Sequence, residues 1–326
     1  CNGDDAEKDV PTFINKVVIN SCMSDKTPLI IGAGHGWCAT SPLHLTLQCS
    51  NDCSHAGLLK EDHLLYHLYS DEAWTWRKPW YDRLVGDYMT PKWKYPYGYQ
   101  NQYGYHNNLE EIKELFQEPT LDTYIKYYKR HYERVKHKFT FVHDFSNSNA
   151  FLPRSFLQKV APKLKKHFRI KVLMIFRDPV RRLYSELSHD WQKSEKLQKN
   201  YRTTREYFRS YLNIGQITPN SNYVKTFKSY NSLFSTFPII SEHFWGGTND
   251  QVANLSDFLQ FDIQNIWPNC YYPEMGTKAP KHEYLRDQWS SDLEDLTDDD
   301  LSYGRKYLSK YYDDWYKCFG SMPWMC

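Results

Sequence analysis

Apolar and polar positions along the chain predict strands followed by loops and helices, and the first such unit begins near residue 28. The apolar run Leu29–Ile31 precedes Gly32, Gly34 and Gly36, and helical spacing begins at about Ser41. Glycines let a backbone take positive φ and approach a ligand closely, and a helix start offers unpaired N–H groups. This unit is predicted to bind a phosphate or sulfate, unless it is an ordinary strand-to-helix turn.

The loop of this unit differs from that of a magnesium-dependent nucleotide site. Walker A loops read G-x-x-x-x-G-K-[ST], whereas residues 34–41 read GHGWCATS and contain no lysine. The hydroxyls of Thr40 and Ser41, with the backbone, suit an anion held by N–H groups without a metal. Cys49 and Cys53 lack a second pair of ligands, so a zinc site is not expected either.

A second unit with the same pattern lies far downstream. The apolar run Val172–Phe176 is followed by Arg177, Asp178 and Pro179 and then by helical spacing. Asp178 can cap the helix, and Pro179 fits its first turn. Arg177 leaves the strand end, and Ser185 lies two turns along the helix. A guanidinium with a hydroxyl suits a second phosphate, although Arg-Asp-Pro is also a common junction between strand and helix.

The remaining pattern predicts further helices and strands. Helices are expected within 109–137, 154–167 and 221–234, and strands at 139–142 and 238–241. Strands that alternate with helices indicate an α/β fold, here a three-layer, P-loop-like fold whose central parallel sheet is flanked by helices. Residues 1–27 are expected to be a polar stem before one domain, 28–326. An aromatic-rich insertion at about 71–107 is either a substrate platform or a loop packed on its own rings.

Composition adds limits on compartment and partners. The 326 residues are 40% apolar and carry a net charge of +2, which gives no reason to expect a nucleic-acid partner. No stretch approaches the roughly 18 apolar residues of a membrane span. The chain begins with Cys1 rather than Met, so a leader or anchor could have been removed. Eight cysteines permit a secretory compartment without forming a disulfide scaffold.

Together the two units resemble the sulfotransferase superfamily that uses 3′-phosphoadenosine 5′-phosphosulfate (PAPS). In that family R-[DN]-P-x-x-R-x-x-S holds the 3′-phosphate, and P-x-x-x-G-x-G-[RK]-x-G-T holds the 5′-phosphosulfate. The first of these patterns is matched at all its fixed positions, which are Arg177, Asp178, Pro179, Arg182 and Ser185.

The phosphosulfate pattern is matched only in part. Gly34, Gly36 and Thr40 agree, Ala39 replaces a glycine, and Trp37 stands where the family has Arg or Lys. Further along, a basic glycine loop of the family resembles residues 276–278. The resemblance therefore implies PAPS as donor, no metal, and a set of donor-binding residues: Gly34, His35, Gly36, Trp37, Cys38, Ala39, Thr40, Ser41, Arg177, Ser185, Gly276, Thr277 and Lys278.

The resemblance also implies catalytic residues. Lys60-Glu61 is similar to the K-E-x-x-[FY]-[FY] segment that places a general base beside the acceptor in glycan sulfotransferases. His63 is the alternative base, because imidazole titrates closest to working pH. Asp144 fits the family's E-K-[ST]-x-x-Y segment, but Phe145 replaces its lysine.

Two cations of the family are thus absent from this chain. Candidates to compensate for them are His35, Lys60, His143 and Lys278.

The acceptor implied by the resemblance is a hydroxyl, on a glycan by similarity to the carbohydrate branch and in the Golgi lumen as a trimmed type II membrane protein. A small hydroxylated metabolite and a cytoplasmic location are the alternatives. A PAPS-binding pseudoenzyme is kept open by the absent cations, and a P-loop kinase is disfavoured by the absent Gly-Lys-Ser/Thr. The oligomeric state is not readable from the sequence.

Overall fold

A parallel sheet of five strands organises the protein. The computed structural model describes residues 26–38, 40–49, 52–55, 63–75, 78–79, 82, 109–117, 119–214, 222–245, 249–263 and 296–324. The strands within these ranges are β1 Thr27–Gly32, β2 Cys53–His55, β3 Phe141–Phe145, β4 Phe168–Phe176 and β5 Ser235–Ile240.

Helices connect and cover these strands. In chain order they are α1 Thr40–Cys49, α2 Leu64–Tyr69, α3 Leu109–Gln117, α4 Leu121–Val135, α5 Arg154–His167, α6 Pro179–Lys193, α7 Glu195–Asn200, α8 Thr204–Ile214, α9 Tyr223–Asn231, α10 Ser241–Trp245, α11 Asn249–Leu259, α12 Asp298–Tyr307 and α13 Ser309–Phe319. A 3₁₀ helix, Asn147–Phe151, follows β3. All residues of β1 and β3 are buried, as expected for parallel strands that are covered on both faces. The predicted α/β fold with a central parallel sheet is confirmed.

Strand order determines where a site can form. The order is β2-β3-β1-β4-β5, and Leu29 of β1 lies beside Val142 of β3 and Ile170 of β4. The chain places β2 and β3 on one side of β1 before it crosses to β4 on the other side. Ligands of open α/β sheets bind at the carboxyl ends of strands where the order reverses in this way. The loops after β1, β3 and β4 meet at that edge.

Some predicted boundaries were wrong, each for a local reason. The strand predicted at 139–142 is β3, and it extends through the polar residues His143 and Asp144, which are buried in the sheet. The helical stretch 109–137 is two helices, because Pro119 precedes a new start at which Thr120 forms a capping box with Thr123.

Two searches concern only the part of the chain that the structure describes. None of its helices combines the length and apolar character needed to cross a membrane. Nor do its His, Cys, Asp and Glu side chains form a group of three or more that could hold a metal ion.

Candidate functional site

The glycine loop after β1 is packed directly on β4. A Cβ added to Gly34 would lie 2.4 Å from Ile175 Cγ2 and 2.8 Å from Thr40 Cγ2, so close packing excludes a side chain here. The expectation that the loop glycines adopt positive φ was wrong. Gly34 and Gly36 do not, whereas Trp37 does, with φ of 67°.

Arg177 joins the two predicted anion-binding segments. Its Nη1 donates to the Trp37 carbonyl oxygen at 3.2 Å and to Ser185 Oγ at 2.9 Å. Only 4% of the residue is exposed, so the guanidinium lies between the glycine loop and α6. The predicted proximity of these segments, 140 residues apart in sequence, is confirmed.

Asp178 fixes the turn that carries Arg177. Its Oδ1 accepts hydrogen bonds from the backbone N–H groups of Val180 at 2.9 Å and Arg181 at 3.1 Å. The Tyr312 hydroxyl donates to the same oxygen at 3.0 Å. The predicted helix cap is therefore confirmed, and α13 adds a third donor to it.

Glu242 supports the same turn from α10. One carboxylate oxygen accepts from the Asp178 N–H at 2.9 Å and the other from Trp324 Nε1 at 3.1 Å. Burial raises the pKa of Glu242, although these hydrogen bonds and the charge of Arg177 oppose the shift. The sequence analysis missed Glu242 and Trp324, because a partner so far along the chain leaves no local pattern.

His35 is a buried polar group within the glycine loop. Its ring lies 5.1 Å from the Tyr223 ring and 5.8 Å from the Phe151 ring. Burial, with a smaller contribution from the charge of Arg182, lowers its pKa to about 3, so the imidazole is neutral at physiological pH. Among the described residues, neither ring nitrogen has a hydrogen-bond partner. His35 can therefore donate to a ligand but does not supply a positive charge.

The neighbours of His35 are also buried. Cys38 Sγ lies 3.8 Å from the Tyr223 hydroxyl, and burial raises the pKa of the thiol to about 11. Arg182 is fully buried and pairs with Glu186 at 2.9 Å. The thiol is thus protonated, and this second motif arginine is engaged along its own helix.

Asp144 lies in the core of β3. Its Oδ2 accepts from the Tyr124 hydroxyl at 2.9 Å, and burial raises its pKa to about 6. The next residue, Phe145, packs its ring so closely on Gly32 that an added Cβ would lie 2.5 Å from it. An aromatic ring therefore fills the position that the resemblance assigns to a lysine.

His63 lies at the carboxyl end of β3. Its N–H donates to Ser146 Oγ at 3.0 Å, and its Nδ1 lies 2.8 Å from Ser148 Oγ. The Ser146 N–H in turn reaches the carbonyl oxygen of Gly32 at 3.4 Å. His63 is therefore held at the same sheet edge as the glycine loop.

The remaining predicted residues divide into two groups. Thr40 is buried at the start of α1, and His143 is buried in β3 with its ring 5.1 Å from that of His44. Outside the described residues lie Ala39, Lys60, Glu61, Gly276, Thr277, Lys278 and the side chain of Ser41.

One further residue of this edge was missed. The His189 ring lies 4.4 Å from the Trp37 ring. His189 follows Ser185 by four residues on α6, so both lie on one helix face. This spacing was the signal in the sequence that could have identified it.

Comparison with known proteins gives likenesses of fold only. No family model matches the chain, and no curated protein matches its sequence. The sulfotransferase domain of the Synechococcus PCC 7002 olefin synthase is 14% identical with a TM-score of 0.47, covering 84% of this chain and 90% of its own. The sulfotransferase from Alicyclobacillus acidocaldarius is 17% identical with a TM-score of 0.41, covering 82% and 92%. A sulfotransferase domain from the curacin biosynthetic pathway is 11% identical with a TM-score of 0.43, covering 87% and 98%. The chain is thus similar in fold to solved sulfotransferases, and any function has to be supported by the geometry of its own site.

Proposed function

We propose that this protein is a sulfotransferase that moves a sulfuryl group from PAPS to an acceptor hydroxyl. The observation that carries the proposal is Arg177, which bonds both to the glycine loop and to Ser185. The donor is anionic at both its 3′ and 5′ ends, and here two anion-binding segments lie side by side at the carboxyl edge of a parallel sheet.

The residues present fit such a donor. Gly34 leaves room for close approach because a Cβ has no space there, and His35 holds two buried ring nitrogens without a partner in the described chain. We assign the N–H groups at the start of α1, with Thr40, to the 5′-phosphosulfate. Arg177 and Ser185 are assigned to the 3′-phosphate. The donor supplies the activated sulfuryl group, while these residues bind and orient it.

Acceptance of the hydroxyl proton is assigned to Glu61 or His63. In the tautomer in which His63 Nδ1–H donates to Ser148, Nε2 carries a lone pair that can take a proton. Glu61 holds its place through the family resemblance alone. Replacing each by Gln and comparing turnover identifies the base, since only its loss removes transfer.

A PAPS-binding protein without turnover is the second candidate. It is favoured by the ring of Phe145, which packs on Gly32 where the family has a lysine, and by Trp37 in the loop. Charge that develops on a leaving phosphate needs preorganised donors or cations. A protein without them could bind the donor and leave it intact.

For the acceptor we propose a carbohydrate hydroxyl, and for the location the Golgi lumen. Both rest on the similarity of the Lys60-Glu61 segment to glycan sulfotransferases. A small hydroxylated metabolite, with a cytoplasmic location, is the alternative.

Binding is tested with adenosine 3′,5′-bisphosphate, the desulfated donor, by isothermal titration calorimetry. Arg177→Lys is expected to weaken binding at least about tenfold, because an ammonium cannot reproduce the guanidinium fork. Arg169→Lys is the matched control: it lies on the same strand, β4, at the opposite end, and is exposed. Thermal unfolding of both variants reports whether the fold is intact. Equal affinity of the two variants would reject the assignment of Arg177.

Turnover is tested by transfer of labelled sulfate from PAPS to a panel of glycans, phenols and alcohols. Transfer to glycans supports the proposal, and transfer only to small phenols or alcohols supports the metabolite alternative. Binding of the bisphosphate without transfer to any acceptor would support the pseudoenzyme.

A further inference from the structure

We propose that His189, when protonated, supplies the positive charge that the glycine loop lacks, and that Trp37 holds it in place. The inference rests on the proposed function, because the ligand is the anionic donor. His189 then acts as a further donor-binding residue, and donor affinity depends on its protonation.

The contact between His189 and the loop is direct. Its ring lies 4.4 Å from the Trp37 ring at an interplanar angle of 55°, and 36% of its side chain is exposed. Trp37 also gives its carbonyl oxygen to Arg177. One loop residue therefore connects the imidazole with the guanidinium of the site.

The face of α6 toward the site is basic. Arg181, Ser185 and His189 follow one another at intervals of four residues, which places them on one stripe of the helix. Ser185 contacts Arg177. Burial, and to a smaller extent the charge of Arg181, lower the pKa of Arg177, so Arg181 is close enough to act on it. The stripe offers positive charge on both sides of the Ser185 hydroxyl.

The groups around His189 leave its titration as the variable charge near neutral pH. On its own helix these are Arg181, Lys193 one turn further, and Asp190, whose Oδ1 lies 3.8 Å from His189 Nδ1. The helix α8, which packs on α6, contributes Tyr207 and Tyr211.

The pKa values of both tyrosines are raised by burial and by nearby acidic groups, so they stay neutral. The described glycine loop contains no carboxylate. Imidazole ordinarily titrates near pH 6.5, within the range that separates the two test conditions below.

The test measures affinity for adenosine 3′,5′-bisphosphate at pH 5.5 and pH 8.0 in wild type, His189→Gln and His189→Arg. The ligand's phosphates titrate in the same range, so the readout is the ratio of wild-type to variant affinity, in which that effect cancels. For His189→Gln we expect a ratio of about three to ten at pH 5.5 and close to one at pH 8.0, since a partly exposed charge near a phosphate has effects of this order. For His189→Arg the variant should bind at least as tightly as wild type at both values.

The control is His137→Gln, an exposed histidine near the amino edge of the sheet, for which the ratio should be one at both pH values. A second variant tests equivalence: Trp37→Arg in the His189→Gln background should restore affinity and make it independent of pH. A purely structural role of His189 would give neither the pH-dependent ratio nor the rescue by arginine.

A ratio for His189→Gln that is the same at both pH values, while wild type binds the bisphosphate, overturns this inference and leaves the proposed function standing. Absence of wild-type binding at both pH values overturns the two together.

Discussion

Replacement of Gly34 by alanine tests the packing of the glycine loop on β4. The added Cβ would lie 2.4 Å from Ile175 Cγ2, 2.8 Å from Thr40 Cγ2 and 3.3 Å from the backbone nitrogen of Ile175. The side-chain contacts are shorter than real carbon contacts allow, and the backbone of β4 limits relief by movement of Ile175. Either the loop or the strand must shift.

Gly36 offers a matched comparison two residues away. Its added Cβ would meet only Asn147 Nδ2, at 3.5 Å, which is ordinary van der Waals contact, and its φ is not positive. Overpacking typically costs about 1–3 kcal/mol. Loss of unfolded-state freedom returns about 0.4–1 kcal/mol to each variant. We therefore expect Gly34→Ala to lose about 1–2 kcal/mol of unfolding free energy and Gly36→Ala to gain about 0.5 kcal/mol.

Urea denaturation followed by tryptophan fluorescence measures both changes through the transition midpoint. Affinity for adenosine 3′,5′-bisphosphate should fall with Gly34→Ala, because a shifted loop no longer presents its N–H groups in the same positions. Equal midpoints for the two alanine variants would refute the packing argument, since it predicts opposite signs.

Two other substitutions test buried carboxylates. Asp178→Ala is expected to cost about 2–4 kcal/mol, because two helix N–H groups and the Tyr312 hydroxyl lose their acceptor. Asn222→Ala, which removes a single capping bond from α9, should cost only about 1 kcal/mol. For Asp144, burial raises the folded pKa to about 6 from 3.8, so wild-type stability should rise as pH falls from about 7 to 4. Asp144→Asn should lack this rise and be more stable than wild type at pH 8 by up to about 3 kcal/mol.

Chemical unfolding at fixed pH measures each of these effects. Similar losses for Asp178→Ala and Asn222→Ala would contradict the triple role of the Asp178 oxygen. Parallel stability curves of Asp144→Asn and wild type between pH 4 and 8 would show that Asp144 has no raised pKa.

The sequence predicts best where the signal is local. The apolar run Val172–Phe176 and the spacing from Arg177 to Ser185 lie within one strand-loop-helix unit, and the structure contains both the strand and the hydrogen bond. His143 and Asp144 misled the strand assignment because polar residues rarely occupy a strand that is buried on both faces. Their burial depends on α1 and α4, which no window around residue 143 contains.

The supporting groups of the site were beyond sequence patterns for the same reason. Glu242 and Tyr312 reach Asp178 from 64 and 134 residues away. The requirement for Gly34 was predicted, but for the wrong reason: the space is limited by Ile175 of another strand, rather than by the φ angle of the loop.

The hydrogen bond from Tyr312 to Asp178 also affects how the protein matures during synthesis. A nascent chain that has emerged only as far as β5 already contains β1, β4 and their loops, but the turn at residues 177–179 still lacks its contacts from α13 and Trp324. Nucleotide affinity should therefore arise late in translation, and a ribosome stalled before residue 296 should carry a folded sheet that cannot yet grip its anion.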